Sequence, residues 1–245
     1  MQRTENDAPD QSARGRAGWI SFWNANTTIY VNDRHKRVHY RVVAQDFARL
    51  LPERGVRVLD FGCGEALSAD LVAERCSKLV LSDAADTVRA GLERRFAGNP
   101  LIIVASPEAV AAMPDGSFDV IFANSVLQYF AQPQLAPQMA EWHRLLAPGG
   151  KLILGDLIPH DAGMVSDVTA LLGFAFANGF GVAACIGLVK TFFSDYRKKR
   201  ALLGLLRFSE QEALDLASST GFKAQRLAKN IGHNPTRMTF VVTRA

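Results

Sequence analysis

Two glycines and a carboxylate stand close together in the first third of the chain. Asp60, Gly62 and Gly64 follow directly on an apolar run that begins at residue 56. Glycine allows a tight turn and lets the backbone approach a ligand closely. Asp83 lies nineteen residues beyond Gly64, at the end of the next apolar run, where a carboxylate can accept hydrogen bonds from both hydroxyls of a ribose. The spacing therefore predicts a nucleoside-binding loop between a strand and a helix.

The residues of this loop distinguish between two nucleoside cofactors. A dinucleotide places its pyrophosphate on the helix N-terminus and favours a third glycine where this chain has Leu67. Asp60 would also add a negative charge near the phosphates. S-adenosylmethionine has no phosphate and carries an ammonium group, which a carboxylate at position 60 suits. The loop therefore predicts S-adenosylmethionine rather than a nicotinamide dinucleotide.

Two further motifs follow in order along the chain. Residues 114–121 read Pro-Asp-Gly-Ser-Phe-Asp-Val-Ile, and residues 145–152 read Leu-Leu-Ala-Pro-Gly-Gly-Lys-Leu. Together with the glycine loop, these motifs resemble the class I, S-adenosylmethionine-dependent methyltransferases, particularly the bacterial small-molecule enzymes called type 11. The resemblance extends from about residue 56 to about residue 156 and continues more weakly to the C-terminus. It implies methyl transfer from S-adenosylmethionine, with S-adenosylhomocysteine as the second product.

The resemblance also implies which residues bind the cofactor. Asp60, Gly62 and Gly64 would hold its amino-acid end, Asp83 would bind the ribose, and Ala84 would pack against the adenine. These five positions match the family's motif residue by residue.

Three more positions follow from the same resemblance. Ser106 stands near the place where many relatives have an aspartate that bonds the adenine amino group, so a hydroxyl or a backbone group would have to make that contact here. Asn124 and Ser125 stand where the family contacts the methionine portion of the cofactor.

The pattern of apolar runs predicts an α/β fold. Short apolar runs alternate with amphipathic segments, which indicates a parallel sheet with helices on both faces. The last two runs are joined by too few residues for a crossover, so they should pair antiparallel. We expect a seven-stranded, mostly parallel sheet with an antiparallel last strand, an N-terminal cap helix and a helical lid insertion. The predicted strands are 56–61, 78–82, 101–105, 118–123, 151–156, 222–229 and 238–243.

The composition predicts one domain with a tail and a lid. Residues 1–18 are polar and are expected to form a disordered tail, whereas residues 19–245 are expected to form a single domain with a helical lid at about 160–208. Residues 168–189 are apolar over a length that could cross a bilayer. We favour two short lid helices broken near Asn178 and Gly179, with peripheral membrane contact through residues 168–200 as the alternative.

The acceptor side has no diagnostic motif, because methyl transfer requires mainly alignment and needs a general base only if the nucleophile must lose a proton. His160, after the fifth predicted strand, is the candidate base because the pKa of histidine suits proton transfer near neutral pH. A surface or helix-capping role is the alternative for this residue. The substrate-side candidates are Tyr30, Gln128, Tyr129, His233 and Arg237.

The remaining histidines and cysteines predict no metal site. His35 and His39 share a helix face at a spacing that can bind a metal, but no further ligand cluster is evident, so a structural placement is favoured. The three cysteines show no Cys-x-x-Cys spacing, which is typical of reduced thiols in a cytoplasmic protein.

The charge pattern argues against a nucleic-acid substrate. The net charge of +4 is spread along the chain apart from one basic tetrad at 197–200, and residues 124–127 lack the Pro-Pro-aromatic motif of amino-group methyltransferases that act on nucleic acids. The predicted function is therefore methyl transfer to an O, N or C atom of a small, fairly apolar molecule. A cofactor-binding protein without catalysis and, less favoured, a nucleic-acid methyltransferase are the alternatives.

Overall fold

Within the part of the chain that the computed structural model describes, residues 11–25, 29–52, 55–192 and 204–245, seven strands form one sheet. Their order across the sheet is β3-β2-β1-β4-β5-β7-β6, and all neighbours are parallel except β7, which runs antiparallel to β5 and to β6. The strands are β1 (Val56–Phe61), β2 (Cys76–Ser82), β3 (Ile102–Ala105), β4 (Phe118–Asn124), β5 (Leu146–Leu157), β6 (Phe222–Arg226) and β7 (Met238–Arg244).

Helices connect the strands and cover both faces of the sheet. They are α1 (Gln11–Asn24), α2 (Asp33–Leu50), α3 (Ala69–Ala73), α4 (Asp86–Phe96), α5 (Pro107–Ala111), α6 (Gln132–Leu145), α7 (Met164–Ala177), α8 (Gly181–Phe192) and α9 (Glu210–Ser219), with a short 3-10 helix at Leu127–Tyr129. The predicted fold class, including the antiparallel last strand, is confirmed.

Alternate residues of each strand enter different layers of the core. In β1, Val58 packs with α2 and α3 on one face, and Leu59 packs with α6 on the other. The ring of Phe47 in α2 stacks on that of Phe122 in β4, with 3.8 Å between centroids. Because helices cover both faces, the central strands are mostly apolar, and Asp60 and Asn124 stand near their carboxyl ends.

Two strand boundaries differ from the prediction by three or more residues. β5 begins at Leu146 rather than at Lys151, because the Pro-Gly-Gly turn remains part of the ladder and Leu146 pairs with Phe118. The turn needs glycine at position 150, where a Cβ atom would lie 2.9 Å from the carbonyl oxygen of Ala147. β6 ends at Arg226, three residues earlier than expected.

Helix α1 corrects the prediction of a disordered tail through residue 18, because the helix begins at Gln11. Its C-terminal half is anchored by Trp19 and Phe22, which are 3% and 1% exposed. The ring of Trp19 contacts that of Tyr129 with centroids 4.9 Å apart. Both anchors follow the polar segment in the sequence, so the composition of residues 11–18 by itself gives no sign of the helix. Residues 1–10 lie outside the described residues.

The apolar segment of the predicted lid forms two helices, as expected. Helix α7 ends at Ala177. The side-chain amide of Asn178, the C-cap residue, donates a hydrogen bond to the carbonyl oxygen of Phe174, and Gly179 follows with a φ of +72°. The helices pack together through Ala175, Phe180 and Ala184. Among the described helices, none has the length and apolar character that a membrane crossing would need. The basic tetrad at 197–200 lies outside the described residues.

The docking of α1 can be tested with Phe22→Ala. This substitution should lower the free energy of unfolding by about 3 kcal/mol, because it empties a buried aromatic site, and it should remove the hydrogen-exchange protection of residues 19–24. Ser21→Ala is the matched control, since Ser21 is exposed on the same helix. Equal protection in both variants would show that α1 does not depend on this contact.

Candidate active site

The carboxyl ends of the parallel strands open into a cavity of about 940 Å³. The loops after β1, β2, β4 and β5 form its floor, and α1, α2, α7 and the loop between β6 and β7 form its walls. Ligands of open α/β sheets bind at this edge. The volume lies in the upper part of the range for small-molecule sites, so it can hold a nucleoside and a small acceptor together.

The loop after β1 leaves no space for a side chain at either of its two glycines. Gly62 and Gly64 have φ values of +73° and +58°, in the left-handed region that favours glycine. A Cβ atom on Gly62 would lie 2.4 Å from Cγ2 of Val126, and one on Gly64 would lie 2.6 Å from the hydroxyl oxygen of Tyr40. The glycines are therefore required by this structure as well as by a ligand that contacts the backbone.

Two carboxylates face this loop. Burial and then the charge of Asp83 raise the pKa of Asp60 to about 7, and no cation of the described residues counters them. Asp83 accepts hydrogen bonds from the backbone N–H groups of Gly64 (3.0 Å) and Ala85 (2.9 Å). Burial raises the pKa of Asp83, whereas these bonds and the charge of Arg89 lower it. The pair forms a negative, largely desolvated site that lacks a counter-charge at Asp60.

This arrangement fits S-adenosylmethionine. The ammonium group of the cofactor suits Asp60 and the ribose hydroxyls suit Asp83, whereas the pyrophosphate of a dinucleotide would be repelled by Asp60. The five cofactor positions expected from the sequence, Asp60, Gly62, Gly64, Asp83 and Ala84, all line the cavity. The structure thus brings together the residues that the family motif singles out.

Of the other three expected cofactor positions, two line the cavity and one does not. Asn124 and Ser125 line the cavity after β4. Ser106 is not among the lining residues, and its side chain caps helix α5 by accepting a hydrogen bond from the N–H of Ala109 at 3.2 Å. Serine is a favoured N-cap residue, so the hydroxyl has a structural partner already.

Asp156 is a site residue that the sequence reasoning treated only as a strand end. It accepts hydrogen bonds from the hydroxyl of Ser125 (2.6 Å) and from the side-chain amide of Asn230 (3.1 Å). Both Ser125 and Asp156 have positive φ values, +57° and +59°, which non-glycine residues rarely adopt. The available signal was an aspartate at the carboxyl end of a buried strand, the same signal that singled out Asp60.

The part of the cavity where an acceptor molecule would bind is lined by aromatic and imidazole rings. All five substrate-side candidates line it, namely Tyr30, Gln128, Tyr129, His233 and Arg237. His35 and His39, for which a structural placement was favoured, line it as well. Their ring centroids lie 6.3 Å and 6.0 Å from that of His233. Within the described part of the chain, no group of three or more side chains is suited to hold a metal ion.

The structure does not bring His160 into the cavity. Its Nε2 atom lies 2.6 Å from Oε2 of Glu212, and both side chains are more than half exposed. Pro159 pairs with Phe208, which fixes the loop after β5 against the start of α9. His160 therefore lines a separate surface depression.

Helix α2 bonds to two parts of the cavity wall. The hydroxyl of Tyr40 accepts a hydrogen bond from the N–H of Glu65 at 2.9 Å, and Lys36 pairs with the Glu65 carboxylate at 2.6 Å. In the first turn of the same helix, Nε of Arg34 donates to the carbonyl oxygen of Asn178 at 2.7 Å. The helix thus joins the glycine loop to the break between the lid helices.

Comparisons with known proteins agree with this site. Residues 59–154 match the family described as a methyltransferase domain. A trans-aconitate 2-methyltransferase of Methylobacterium radiotolerans is 33% identical over 127 residues, which are 52% of this chain and 47% of that protein. A ubiquinone biosynthesis O-methyltransferase of Xanthomonas oryzae is 28% identical over 168 residues, which are 66% of this chain and 65% of that protein. The chain spans about half the length of the first curated relatives that it matches.

A solved structure shares the fold. The magnesium protoporphyrin IX methyltransferase of Synechocystis, crystallised with bound S-adenosylhomocysteine, aligns over 96% of both chains with a TM-score of 0.57 and 16% identity. The family match begins in β1 and ends in β5, so it covers the strands whose carboxyl ends form the cavity floor. Residues 59–154 are therefore similar in sequence to a methyltransferase domain, and the chain shares the fold of that solved methyltransferase.

Proposed function

We propose that this chain transfers a methyl group from S-adenosylmethionine to an O, N or C atom of a small, fairly apolar molecule. The observation that carries the proposal is the pair of partly buried carboxylates, Asp60 and Asp83, which faces the glycine loop without a cation of the described residues at Asp60. When bound, the cofactor supplies an electrophilic methyl carbon on a positively charged sulfur. The chain's own contribution is to hold that cation and to exclude water from the cavity.

The size and lining of the cavity support a small acceptor. Beyond the carboxylates, the wall is formed by the rings of α1 and α2 and by apolar side chains such as Val43 and Leu171. The relatives named above act on small molecules by their names, trans-aconitate in one case and an intermediate of ubiquinone biosynthesis in the other. An apolar acceptor would be desolvated by this wall at little cost.

Cofactor binding tests the role of Asp83. In calorimetric titrations, Asp83→Asn should weaken the binding of S-adenosylmethionine and S-adenosylhomocysteine by about 10- to 100-fold, the usual effect of losing hydrogen bonds to a charged group. Asp215→Asn is the control, because Asp215 lies exposed on α9. NAD should not bind. Preference of the wild-type protein for NAD would overturn the proposed cofactor.

Proton release tests the role of Asp60. Its pKa of about 7 means that the carboxyl group is largely protonated at pH 6, and a bound cation should lower that pKa and displace the proton. Titrations at pH 6 in buffers of different ionisation enthalpy should therefore show proton release, which Asp60→Asn should reduce. Unchanged release in this variant would assign the proton to another group.

The same carboxyl group affects stability without cofactor. Because the folded-state pKa is raised above the ordinary value of 3.8, the protonated form is the one that folding favours. The melting temperature of the cofactor-free protein should fall as the pH rises from about 4 through about 7. Asp60→Asn should flatten this part of the profile, and an unaltered slope would contradict the assignment.

The outer face of the lid supports a contact with an anionic lipid surface as a further part of this proposal. Phe176, Val182 and Ile186 are 65%, 75% and 55% exposed on α7 and α8. Lys190 and the basic tetrad at 197–200 follow in the sequence. Apolar side chains next to basic residues are the pattern of interfacial helices, and a membrane is a natural source of apolar acceptors.

Vesicle sedimentation tests this contact. The protein should co-sediment with vesicles that contain phosphatidylglycerol more than with pure phosphatidylcholine vesicles, because the attraction is partly electrostatic. The double substitution Val182→Asp and Ile186→Asp should reduce sedimentation, whereas Ala136→Asp, on the exposed surface of α6, should not. If both variants sedimented equally, the lid would not be part of the membrane contact.

A further inference from the structure

The imidazole of His233 is an unused functional group on the cavity wall. It lies on the loop between β6 and β7, and neither ring nitrogen has a hydrogen-bond partner among the described residues. One face of the ring stacks on Phe174 of the lid, with centroids 4.4 Å apart and an angle of 20° between the planes. The stacking holds the ring in place and leaves its edge, which carries the nitrogens, available to a ligand.

The backbone of this loop is fixed from two sides. The N–H of Gly232 donates to Oδ2 of Asp46 at 3.0 Å, and Asp46 is a buried residue of α2. The side chain of Asn234 donates to Oδ1 of Asp167 at 3.1 Å, and Asp167 belongs to α7. His233 is thus positioned by the cap helix and the lid together, which is the kind of support that a group in direct contact with a reacting molecule requires.

Four ionisable groups face His233 from the surrounding elements. His35 and His39 approach from α2, Asp167 from α7, and Arg237 from its own loop. Burial lowers the pKa of His233, the charge of Arg237 lowers it further, and Asp167 opposes both. Arg237 pairs with Asp167 at 2.6 Å, so the two charges largely offset each other. The ring is therefore neutral at physiological pH.

His35 and His39 are the other two rings of this histidine cluster. Burial lowers the pKa of His35 to about 4 and that of His39 to about 3, and the charge of protonated His233 contributes to both shifts. Both rings are therefore neutral at physiological pH.

We propose that His233 is the general base of this site and that the acceptor is a phenol, whose hydroxyl proton passes to an imidazole nitrogen. The inference rests on the proposed methyl transfer and narrows it to O-methylation. A base is needed only for a nucleophile that loses a proton, and a neutral imidazole at the cavity edge provides one. The walls formed by Tyr30, His35 and His39 favour a planar aromatic ring over an aliphatic alcohol.

The balance of the reaction is simple. The acceptor oxygen gives its proton to His233 and forms a bond to the methyl carbon, while the electron pair of the broken carbon–sulfur bond stays on sulfur. The products are an aryl methyl ether, a neutral thioether and an imidazolium ion. The positive charge thus leaves the sulfur and appears on His233, which returns the proton to solvent.

A binding experiment without cofactor tests the base directly. 4-Nitrophenol is the probe, because its phenolate form has a distinct visible absorbance. Titrated into the cofactor-free protein, it should bind saturably and ionise at a lower pH than in water, since the imidazole receives its proton. His233→Gln should remove this shift, and His143→Gln, which alters a ring packed on Phe222 away from the cavity, should retain it. No saturable binding, or the same shift in both variants, would overturn the proposal.

Turnover separates this proposal from the broader one. With a weakly acidic phenol, His233→Gln should lower kcat by about 100-fold, within the usual range for loss of a general base. With a nitro-substituted phenol, which is already ionised, the loss should shrink to less than about tenfold. The acidic limb of the wild-type pH profile should also disappear in the variant, while its circular dichroism stays unchanged.

The outcomes are distinguishable. If the wild-type protein neither binds S-adenosylmethionine nor transfers methyl groups, the proposed function fails. If it methylates amines or carbon atoms but no phenol, or if His233→Gln keeps full activity and the wild-type pH profile, methyl transfer stands and the assignment of His233 is overturned.

Discussion

One backbone junction determines where the charged groups of this cavity lie. The N–H groups of Gly62 and Cys63 both donate to the carbonyl oxygen of Ser82, at 2.7 Å and 3.0 Å. This bond pair joins the loop after β1 to the end of β2, so that Asp60 and Asp83 face the same loop. Two carboxylates so placed raise each other's cost of ionisation, and a bound cation relieves that cost. Burial, charge and ligand preference at the site follow from this geometry.

The sheet and the cofactor loop could be predicted from the sequence because their signals are local. A buried parallel strand is a short, mostly apolar run, and β1 (Val56–Phe61) begins and ends where that run does. Glycine at positions 62 and 64 reports a left-handed backbone directly. The start of β5 was less visible, because the pairing of Leu146 with Phe118 depends on a partner strand and not on the residues of the Pro-Gly-Gly turn.

The acceptor side could not be predicted to the same extent, because it is assembled by contacts between distant segments. His39 and His233 are far apart in sequence and meet only after α2 packs against the last hairpin. The helical spacing of His35 and His39 alone did not indicate that these side chains face a cavity. His160 illustrates the opposite case: its loop follows a strand end, but the pairing of Pro159 with Phe208 directs the side chain to the surface.

Helix α2 connects the cofactor loop with the lid, and this connection affects the order in which ligands bind. Tyr40 and Lys36 bond the glycine loop, and Arg34 bonds the lid at Asn178. Any ligand that shifts the N-terminal half of this helix alters both sets of bonds. The affinities for cofactor and acceptor are then thermodynamically linked and change by the same factor in both directions. A cofactor that tightens α2 would then prepare the lid for its second ligand, and the departing thioether would loosen the hold on the methylated product.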